Sequence, residues 1–273
     1  MTASSVPPRL NAPRWSDRVY GALRRLLVPG LKNSQYAYAE QLTQQSPRSG
    51  RWLDLGCGHD VVPAWATAAA AELSPRAGVD PDVDSLRRNR RVKWRVAAQG
   101  EQLPFAGATF DLVTANMVLE HVAAPDRLFR EVARVLRPGG RFLVHTPNAR
   151  GYSTMLTRLI PERLRAPLAV RLHGRVAQDV YPTHYRANSE KALRQLSSAA
   201  GFSSCAIEYI HSSPQLIRLP PLLVVEMLLI RALSTVPLRH FRACLIAGFE
   251  RRNTSPTREP AGSATADDAG AAP

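Results

Sequence analysis

Short apolar runs alternate with helix-like segments along the middle of the chain. Residues 51–58 read Arg-Trp-Leu-Asp-Leu-Gly-Cys-Gly, an apolar run that ends in an aspartate and two closely spaced glycines. Such a continuous apolar run is typical of a buried parallel strand. An alanine-rich, helix-like stretch follows at 64–73, and a second strand is predicted at 76–80. Strand, glycine turn, helix and a strand ending in an acid together form one βαβ unit.

The same alternation continues to residue 250. Apolar runs predict further strands at 92–97, 110–115, 141–146, 202–210 and 241–250. Helical spacing of apolar residues predicts helices at 126–136 and 189–200, and a helical segment at 14–45 precedes the first strand. Strands that alternate with helices predict an α/β fold around a largely parallel sheet.

The turn after the first strand has the features of a nucleoside-binding loop. Gly56 and Gly58 permit a tight turn and a close approach of the backbone to a ligand. Asp80, at the end of the second strand, can accept hydrogen bonds from both vicinal hydroxyls of a ribose. The third glycine of the dinucleotide fingerprint is absent, and Asp60 lies where it would repel a pyrophosphate. The loop therefore suits a nucleoside without phosphates better than a dinucleotide.

Six sequence blocks in a fixed order carry a resemblance to a known family. They are residues 53–58, 78–80, 101–105, 109–113, 119–122 and 136–140. On these blocks the chain resembles the class I S-adenosylmethionine (SAM)-dependent methyltransferases, specifically the small-molecule type similar to methyltransferase domain 11. The resemblance implies SAM as the cofactor. It also implies a three-layer Rossmann-like sandwich with helical lid insertions, whose mostly parallel seven-stranded sheet has an antiparallel last strand.

The resemblance further implies roles for individual residues. The glycine loop is expected to face the methionine end of SAM, Asp80 to hold the ribose, and residues 99–102 to border the adenine. The predicted cofactor-binding residues are Asp54, Leu55, Gly56, Cys57, Gly58, Asp80, Pro81, Gln99, Gly100, Glu101, Gln102 and Asn116. Gln99 stands where the family usually has an aspartate. Its amide can still pair with the adenine edge, but without the assistance of a charge.

The length of 273 residues favours one domain with insertions, here residues 14–250. Within it, 14–45 is predicted to be an N-terminal cap, and the flanking residues 1–13 and 251–273 are predicted to be disordered. The insertion at 148–187 begins after the fifth strand, at the sheet edge where open α/β folds bind ligands. It is therefore the predicted acceptor lid.

A second, apolar insertion lies at 213–238. It is too short, and too interrupted by Arg218 and Glu226, to span a bilayer, which needs about 20 apolar residues. Two interpretations remain open. The segment forms a buried or homodimer-forming helix, or it lies in a membrane interface with its arginines against lipid phosphates.

Two histidines are weak candidates for a catalytic base. An oxygen acceptor has to lose a proton during methyl transfer, and a positioned base assists that loss. His184 lies in the predicted lid, and His121 follows the fourth strand at the cofactor edge of the sheet. His145, within the fifth strand, is predicted to be a core residue. Asn116, at the end of the fourth strand, is predicted to line the site between cofactor and acceptor.

The formal net charge of +14 has three interpretations: genomic base bias, an anionic acceptor or membrane surface, and nucleic acid. The arginines are scattered, and no basic stripe with interleaved aromatic residues is present. The chain also lacks the Asn/Asp-Pro-Pro-aromatic block by which many base-methylating enzymes hold an amino group. The sequence therefore predicts a small-molecule or lipid-like acceptor and disfavours nucleic acid.

The cysteines predict neither disulfides nor a metal site. Cys57, Cys205 and Cys244 are odd in number, widely spaced and without metal-ligand pairing. Residues 1–13 lack the apolar core of a secretory signal. The expected location is the cytoplasm, either free or peripheral at the inner face of the membrane.

These observations together predict a SAM-dependent methyltransferase acting on a small-molecule, lipid or sugar-linked acceptor at oxygen. One alternative is carbon methylation of a quinone-like or polyketide acceptor, which the apolar insertion at 213–238 suits. The other is a SAM-binding module without activity, which only Gln99 favours.

Overall fold

The computed structural model describes residues 14–45, 50–58, 73–90, 92–161, 182–216 and 220–253. The strands are β1 Gly50–Leu55, β2 Leu73–Asp80, β3 Trp94–Ala97, β4 Phe110–Asn116, β5 Leu136–Pro147, β6 Phe202–Ile210 and β7 Cys244–Arg251. The α-helices are α1 Arg14–Leu27, α2 Ser34–Gln45, α3 Val83–Arg88, α4 Pro125–Val135, α5 Tyr152–Leu159, α6 Glu190–Ala199 and α7 Pro220–Leu233. Within the described residues, short 3₁₀ helices cover Leu119–His121 and Arg239–Phe241.

The strands form one sheet in the order β3-β2-β1-β4-β5-β7-β6. The pairs among β1 to β5 are parallel, whereas β7 runs antiparallel to both β5 and β6. The predicted α/β fold with an antiparallel last strand is confirmed. The predicted helix at 64–73 lies almost entirely outside the described residues, and residue 73 itself begins β2.

Some element boundaries differ from the predictions. The prediction for the fifth strand began at 141, but β5 already begins at Leu136, directly after α4. Leu136 pairs with Phe110 of β4, and its carbonyl accepts a hydrogen bond from Arg251. Helix α4 therefore ends at Val135, and the Pro138-Gly139-Gly140 segment lies where the register between β4 and β5 shifts. At the other end of the chain, the 3₁₀ helix Arg239–Phe241 delays the start of β7.

Side chains alternate between the two faces of the sheet and so build two cores. Phe142 and Val144 of β5 join the core beneath α4, where Phe142 meets Phe129 edge-on at 5.5 Å between ring centroids. Leu143, between them in sequence, joins the core beneath α2, which contains the fully buried Tyr38. Because successive strand residues point to opposite faces, helices cover the sheet on both sides. This is the three-layer arrangement.

A third core forms away from the sheet faces. It contains Tyr20 of α1, Tyr152 of α5, and Met227 and Ile230 of α7. The helix in the second predicted insertion therefore packs against both the N-terminal helix and the segment that follows β5.

Candidate active site

The carboxyl ends of the parallel strands bring the predicted cofactor residues together. Leu55, the last residue of β1, pairs with Val79 of β2 and with Ala115 of β4. Asp80 and Asn116 follow those two partners directly, so they lie at the same edge as the glycine loop. The side chain of Leu55 itself lies in the core, which leaves only its backbone to contact a ligand.

The glycine loop adopts a backbone conformation that favours glycine. The φ angles of Gly56 and Gly58 are +61° and +48°. A Cβ on Gly56 would lie 2.5 Å from Cγ2 of Val118, which is too close for any ordinary contact. Both the conformation and the close approach therefore require glycine at this turn.

The carboxylate of Asp80 is oriented by the loop it faces. Its Oδ2 accepts the N–H of Gly58 at 2.8 Å, and its Oδ1 accepts the N–H of Asp82 at 2.8 Å. A carboxylate oxygen has two acceptor positions, and the described residues occupy one on each oxygen, which leaves one on each for a further donor. Two remaining acceptor positions on one carboxylate suit the vicinal hydroxyls of a ribose. The residues present therefore fit the nucleoside part of SAM.

Asn89, which no sequence pattern singled out, holds the glycine loop through bonds to its carbonyl groups. Its buried Nδ2 donates to the carbonyl oxygens of Cys57 at 3.1 Å and Gly58 at 2.9 Å, while its Oδ1 accepts the N–H of Val92. Asn89 is the C-cap of α3 and lies within an Arg-Arg-Asn-Arg-Arg run, a pattern typical of a solvated stretch. Only the tertiary contact reveals its role.

Asp54 lies buried beneath the loop. Its carboxylate accepts the hydroxyl of Thr114 at 2.6 Å, and that hydroxyl accepts the indole N–H of Trp52 at 2.7 Å. Burial raises the pKa of Asp54 to about 7; the Thr114 bond opposes this rise and the charge of Asp80 adds to it. Burial likewise raises the pKa of the Cys57 thiol, which therefore stays protonated. Cys57 contributes shape and backbone to the loop.

Residues 99–102 form a turn after β3 at the same sheet edge. The N–H of Gln102 donates to the carbonyl of Gln99 at 3.1 Å. A Cβ on Gly100 would lie 2.8 Å from Cδ1 of Leu128, so the turn packs closely against α4. The side chain of Gln99 is exposed, and that of Glu101 is partly exposed. Their contact with adenine stays a prediction, as does that of the exposed Pro81.

Asn116 connects three elements at the end of β4. Its Oδ1 accepts Nδ1–H of His145 on β5 at 2.7 Å, and its Nδ2 donates to Gln35 of α2 at 3.1 Å. His145 is fully buried and stacks on Tyr38, with 5.5 Å between ring centroids. Burial lowers the pKa of His145 to about 3, so the ring is neutral at physiological pH. His145 is therefore a core residue, as predicted, whereas contact of Asn116 with ligand stays a prediction.

The structure brings the two candidate bases into one place. The backbone N–H of His184 donates to the carbonyl of Glu120 at 2.7 Å, and Nδ1 of His121 bonds the carbonyl of Pro182 at 2.8 Å. Arg186 adds a bond to the carbonyl of Ala123 at 2.6 Å. Residues 182–186, which end the predicted lid, therefore lie against the segment that follows β4.

His121 is the better oriented of the two. Because a carbonyl oxygen only accepts, its partner Nδ1 carries the proton, and in the neutral ring Nε2 then carries the lone pair. Nε2 lies 3.9 Å from the carboxylate of Glu120, which is buried and accepts the Thr146 hydroxyl at 3.1 Å. The side chain of His184 is exposed. The arrangement can accept a proton at His121 and stabilise the resulting charge with Glu120.

Residues 31–206 match a family described as a methyltransferase domain. An uncharacterized methyltransferase of Mycolicibacterium vanbaalenii is 32% identical over 174 residues, 60% of this chain and 66% of that protein. A demethylmenaquinone methyltransferase of Mycobacterium tuberculosis is 42% identical over 147 residues, 50% of this chain and 62% of that protein. A ubiquinone biosynthesis O-methyltransferase of Xanthomonas axonopodis is 31% identical over 107 residues, 37% and 45% of the two chains.

The matches span between 45% and 66% of the length of these curated relatives. Among solved structures, a SAM-dependent methyltransferase of Thermotoga maritima aligns with a TM-score of 0.51 at 16% identity, covering 87% of this chain and 98% of that one. A Haloferax volcanii complex of the Trm112 methyltransferase activator and a methyltransferase gives 0.53 at 16%, covering 87% and 95%. At this identity the structural similarity shows the fold.

Proposed function

Because the chain belongs to the family of SAM-dependent methyltransferases, we propose that it transfers the methyl group of SAM to an oxygen of a small, lipid-like acceptor. One observation carries the choice of oxygen. His121, with its tautomer set by Pro182 and its ring beside Glu120, lies at the carboxyl edge of β4. That edge also carries the glycine loop and Asp80.

Different residues of this chain bind different parts of SAM. Asp80 accepts the ribose hydroxyls, the Gly56–Gly58 turn brings the backbone close to the ligand, and residues 99–102 border the adenine base. SAM, when bound, supplies a methyl group on a good leaving group. Positioning of the acceptor therefore provides much of the rate.

Proton removal is the second requirement of an oxygen acceptor. A hydroxyl approaching Nε2 of His121 loses its proton to the lone pair that the Pro182 bond places there. The carboxylate of Glu120, 3.9 Å away, then stabilises the imidazolium. Residues 182–186 hold the segment after β4 through the backbone N–H groups of His184 and Tyr185 and the side chain of Arg186.

Carbon methylation of a quinone-like acceptor is the second candidate. It is favoured by a relative of Rubrivivax gelatinosus, 35% identical over 104 residues (36% of this chain and 40% of that protein), which is named as a C-methyltransferase of ubiquinone/menaquinone biosynthesis. The Xanthomonas relative is named as an O-methyltransferase of ubiquinone biosynthesis. The two relatives differ in the atom that they name and share an acceptor class, which supports the lipid-like class for this chain.

The test begins with calorimetry of SAM and its demethylated product, S-adenosylhomocysteine. The protein is then incubated with SAM and either a prenylated catechol or a prenylated naphthoquinol. Mass spectrometry detects the added methyl group, and NMR assigns it to oxygen or carbon. A C-methyl product favours the second candidate. Binding of SAM with no product from either acceptor contradicts the lipid-like class, and absence of SAM binding contradicts the whole proposal.

His121→Asn tests the base directly. It is expected to lower kcat at neutral pH by about 10²-fold or more while leaving the affinity for SAM unchanged. His184→Asn is the matched control, since its side chain is exposed and only its backbone makes the contact with Glu120. Its kcat is expected to stay within about tenfold of wild type. Equal losses in the two variants, or none in His121→Asn, would show that His121 is not the base.

A further inference from the structure

Apart from Glu226 and Arg231, helix α7 carries apolar side chains all round, although only one side is buried. Its inner side chains pack in the third core and are Leu223, Met227, Ile230 and Leu233. Its outward apolar side chains are 38% to 63% exposed and are Leu222, Val224, Val225, Leu228 and Leu229. A surface helix ordinarily carries polar residues on its outward side. The outward side of α7 instead has the composition of a buried surface.

Polar contacts fix which side of α7 points outward. The buried carboxylate of Glu226 accepts the hydroxyl of Tyr152 at 3.0 Å and the N–H groups of Gln215 and Leu216 at 2.7 and 2.8 Å. Arg231 donates to the carbonyl of Leu27 at 2.8 Å. Rotation of the helix would break these bonds and leave a buried carboxylate unsatisfied. The outward apolar side is therefore a fixed feature of the fold.

The segment after α7 carries further exposed apolar side chains. Val236, Leu238 and Phe241 are 72%, 39% and 42% exposed. We call these residues, together with the outward side of α7, the apolar face. Large contiguous apolar surfaces on soluble proteins commonly mark sites of interaction.

The exposed charges of residues 220–242 are basic, and Glu208 of β6 is an exposed acid that lines the same groove as Arg231. Arg231 and Arg239 are exposed within this segment, and the single carboxylate of residues 220–242 is the buried Glu226 on the inner side. Against a second copy of this chain, these arginines would lose water without an acidic partner from the same segment. Burial of unpaired charge is costly, so self-association through this face is disfavoured. Anionic lipid phosphates provide the missing partners.

The dimensions of α7 fit a position in the membrane interface. At 1.5 Å per residue, its 14 residues span about 21 Å, well short of a hydrocarbon core of about 30 Å. Within the described parts of the chain, no helix is long and apolar enough to cross a bilayer. We propose that the apolar face binds the surface of an anionic lipid bilayer, with its apolar side chains at the acyl boundary and Arg231 and Arg239 at the phosphates.

The test is co-sedimentation of the full chain with vesicles, without SAM or acceptor. Vesicles of phosphatidylcholine and phosphatidylglycerol are compared with pure phosphatidylcholine. Binding is expected to the anionic vesicles and to weaken as salt rises. Val225→Glu is expected to lower the partition coefficient about tenfold or more, because it inserts a charge among apolar side chains. Val83→Glu, the same change at an exposed valine on α3, is the matched control and is expected to bind like wild type.

A second variant keeps the test decisive if the first one misfolds. Arg239→Gln leaves α7 unchanged and is expected to reduce both the binding to anionic vesicles and its salt dependence. Light scattering on the same proteins reports self-association. A dimeric wild type with a monomeric Val225→Glu variant, and no vesicle binding by either, would show that a second copy covers the face. Undiminished vesicle binding by both Val225→Glu and Arg239→Gln would also overturn the proposal.

Discussion

The buried carboxylate of Asp54 makes the stability of this protein depend on pH. A single substitution, Asp54→Asn, measures that contribution. Asp54 is 5% exposed, and burial raises its pKa from 3.8 to about 7. The folded protein therefore holds a proton on Asp54 between these pH values that the unfolded chain releases. Since the folded state binds more protons there, the Asp54 contribution to stability falls as pH rises from about 4 to about 7, and is constant above. Asp54→Asn removes this dependence and keeps an acceptor for the Thr114 hydroxyl.

The magnitude follows from the shift. A difference of about three pKa units corresponds to about 4 kcal/mol, the full penalty for an ionised Asp54 in the folded protein. Linkage gives a penalty of about 2 kcal/mol at pH 5 and about 4 kcal/mol at pH 8. The free energy of unfolding of Asp54→Asn, relative to wild type, is therefore expected to rise by about 2 to 3 kcal/mol between these pH values.

The assay is urea unfolding of both proteins at pH 5, 6, 7 and 8. The difference between them isolates Asp54, because buried His145 and His211, whose pKa values are lowered to about 3 and about 4, affect both proteins equally. Asp126→Asn is the control. The hydrogen bond from Arg130 lowers the pKa of Asp126, so that carboxylate is ionised in both states throughout this range and its difference is expected to stay flat. A flat difference for Asp54→Asn as well would refute the reasoning.

Further predictions concern the glycine loop and the ribose carboxylate. Asp80→Ala is expected to weaken SAM binding by about 1–3 kcal/mol through lost charge-assisted hydrogen bonds, and unchanged affinity in calorimetry would show the ribose assignment to be wrong. Gly56→Ala is expected to destabilise the protein by about 1–3 kcal/mol, because its φ of +61° is strained for alanine and its Cβ would contact Val118. Gly30→Ala, where a Cβ meets nothing within 4 Å, is the control. Equal shifts of Tm in the two variants on thermal unfolding would contradict the loop geometry.

The fold could be predicted from the sequence because its signals are local. The strand-glycine-helix pattern around Gly56 lies within about two dozen residues, and each apolar run of the later strands lies within a dozen. Parallel strands place their ends at one edge. The same argument brought Asp80 and Asn116 to the glycine loop. Boundaries such as the start of β5 depend on distant partners, here Arg251, and could not be read locally.

The site residues that escaped prediction depend on contacts between distant segments. Asn89 gains its role only when α3 returns to the loop more than 30 residues earlier. His121 and His184 were separate candidates in the sequence, and their proximity arises from backbone bonds between the lid end and the segment after β4. The pKa of Asp54 likewise depends on burial in the assembled fold, which no local pattern around residue 54 reports.

Sheet topology places both ends of the segment that contains α7 at the carboxyl edge of the parallel strands. Helix α7 lies between the end of β6 and the start of β7, where Ile210 pairs with Cys244. Cys244 also pairs with Pro147 at the carboxyl end of β5, and β5 is parallel to β4 and, through β4, to β1. A membrane against α7 would therefore contact a segment that begins and ends at the edge at which a lipid-like acceptor is proposed to enter. The two proposals still fail separately, because vesicle binding is measured without SAM or acceptor, and methyl transfer is measured without vesicles.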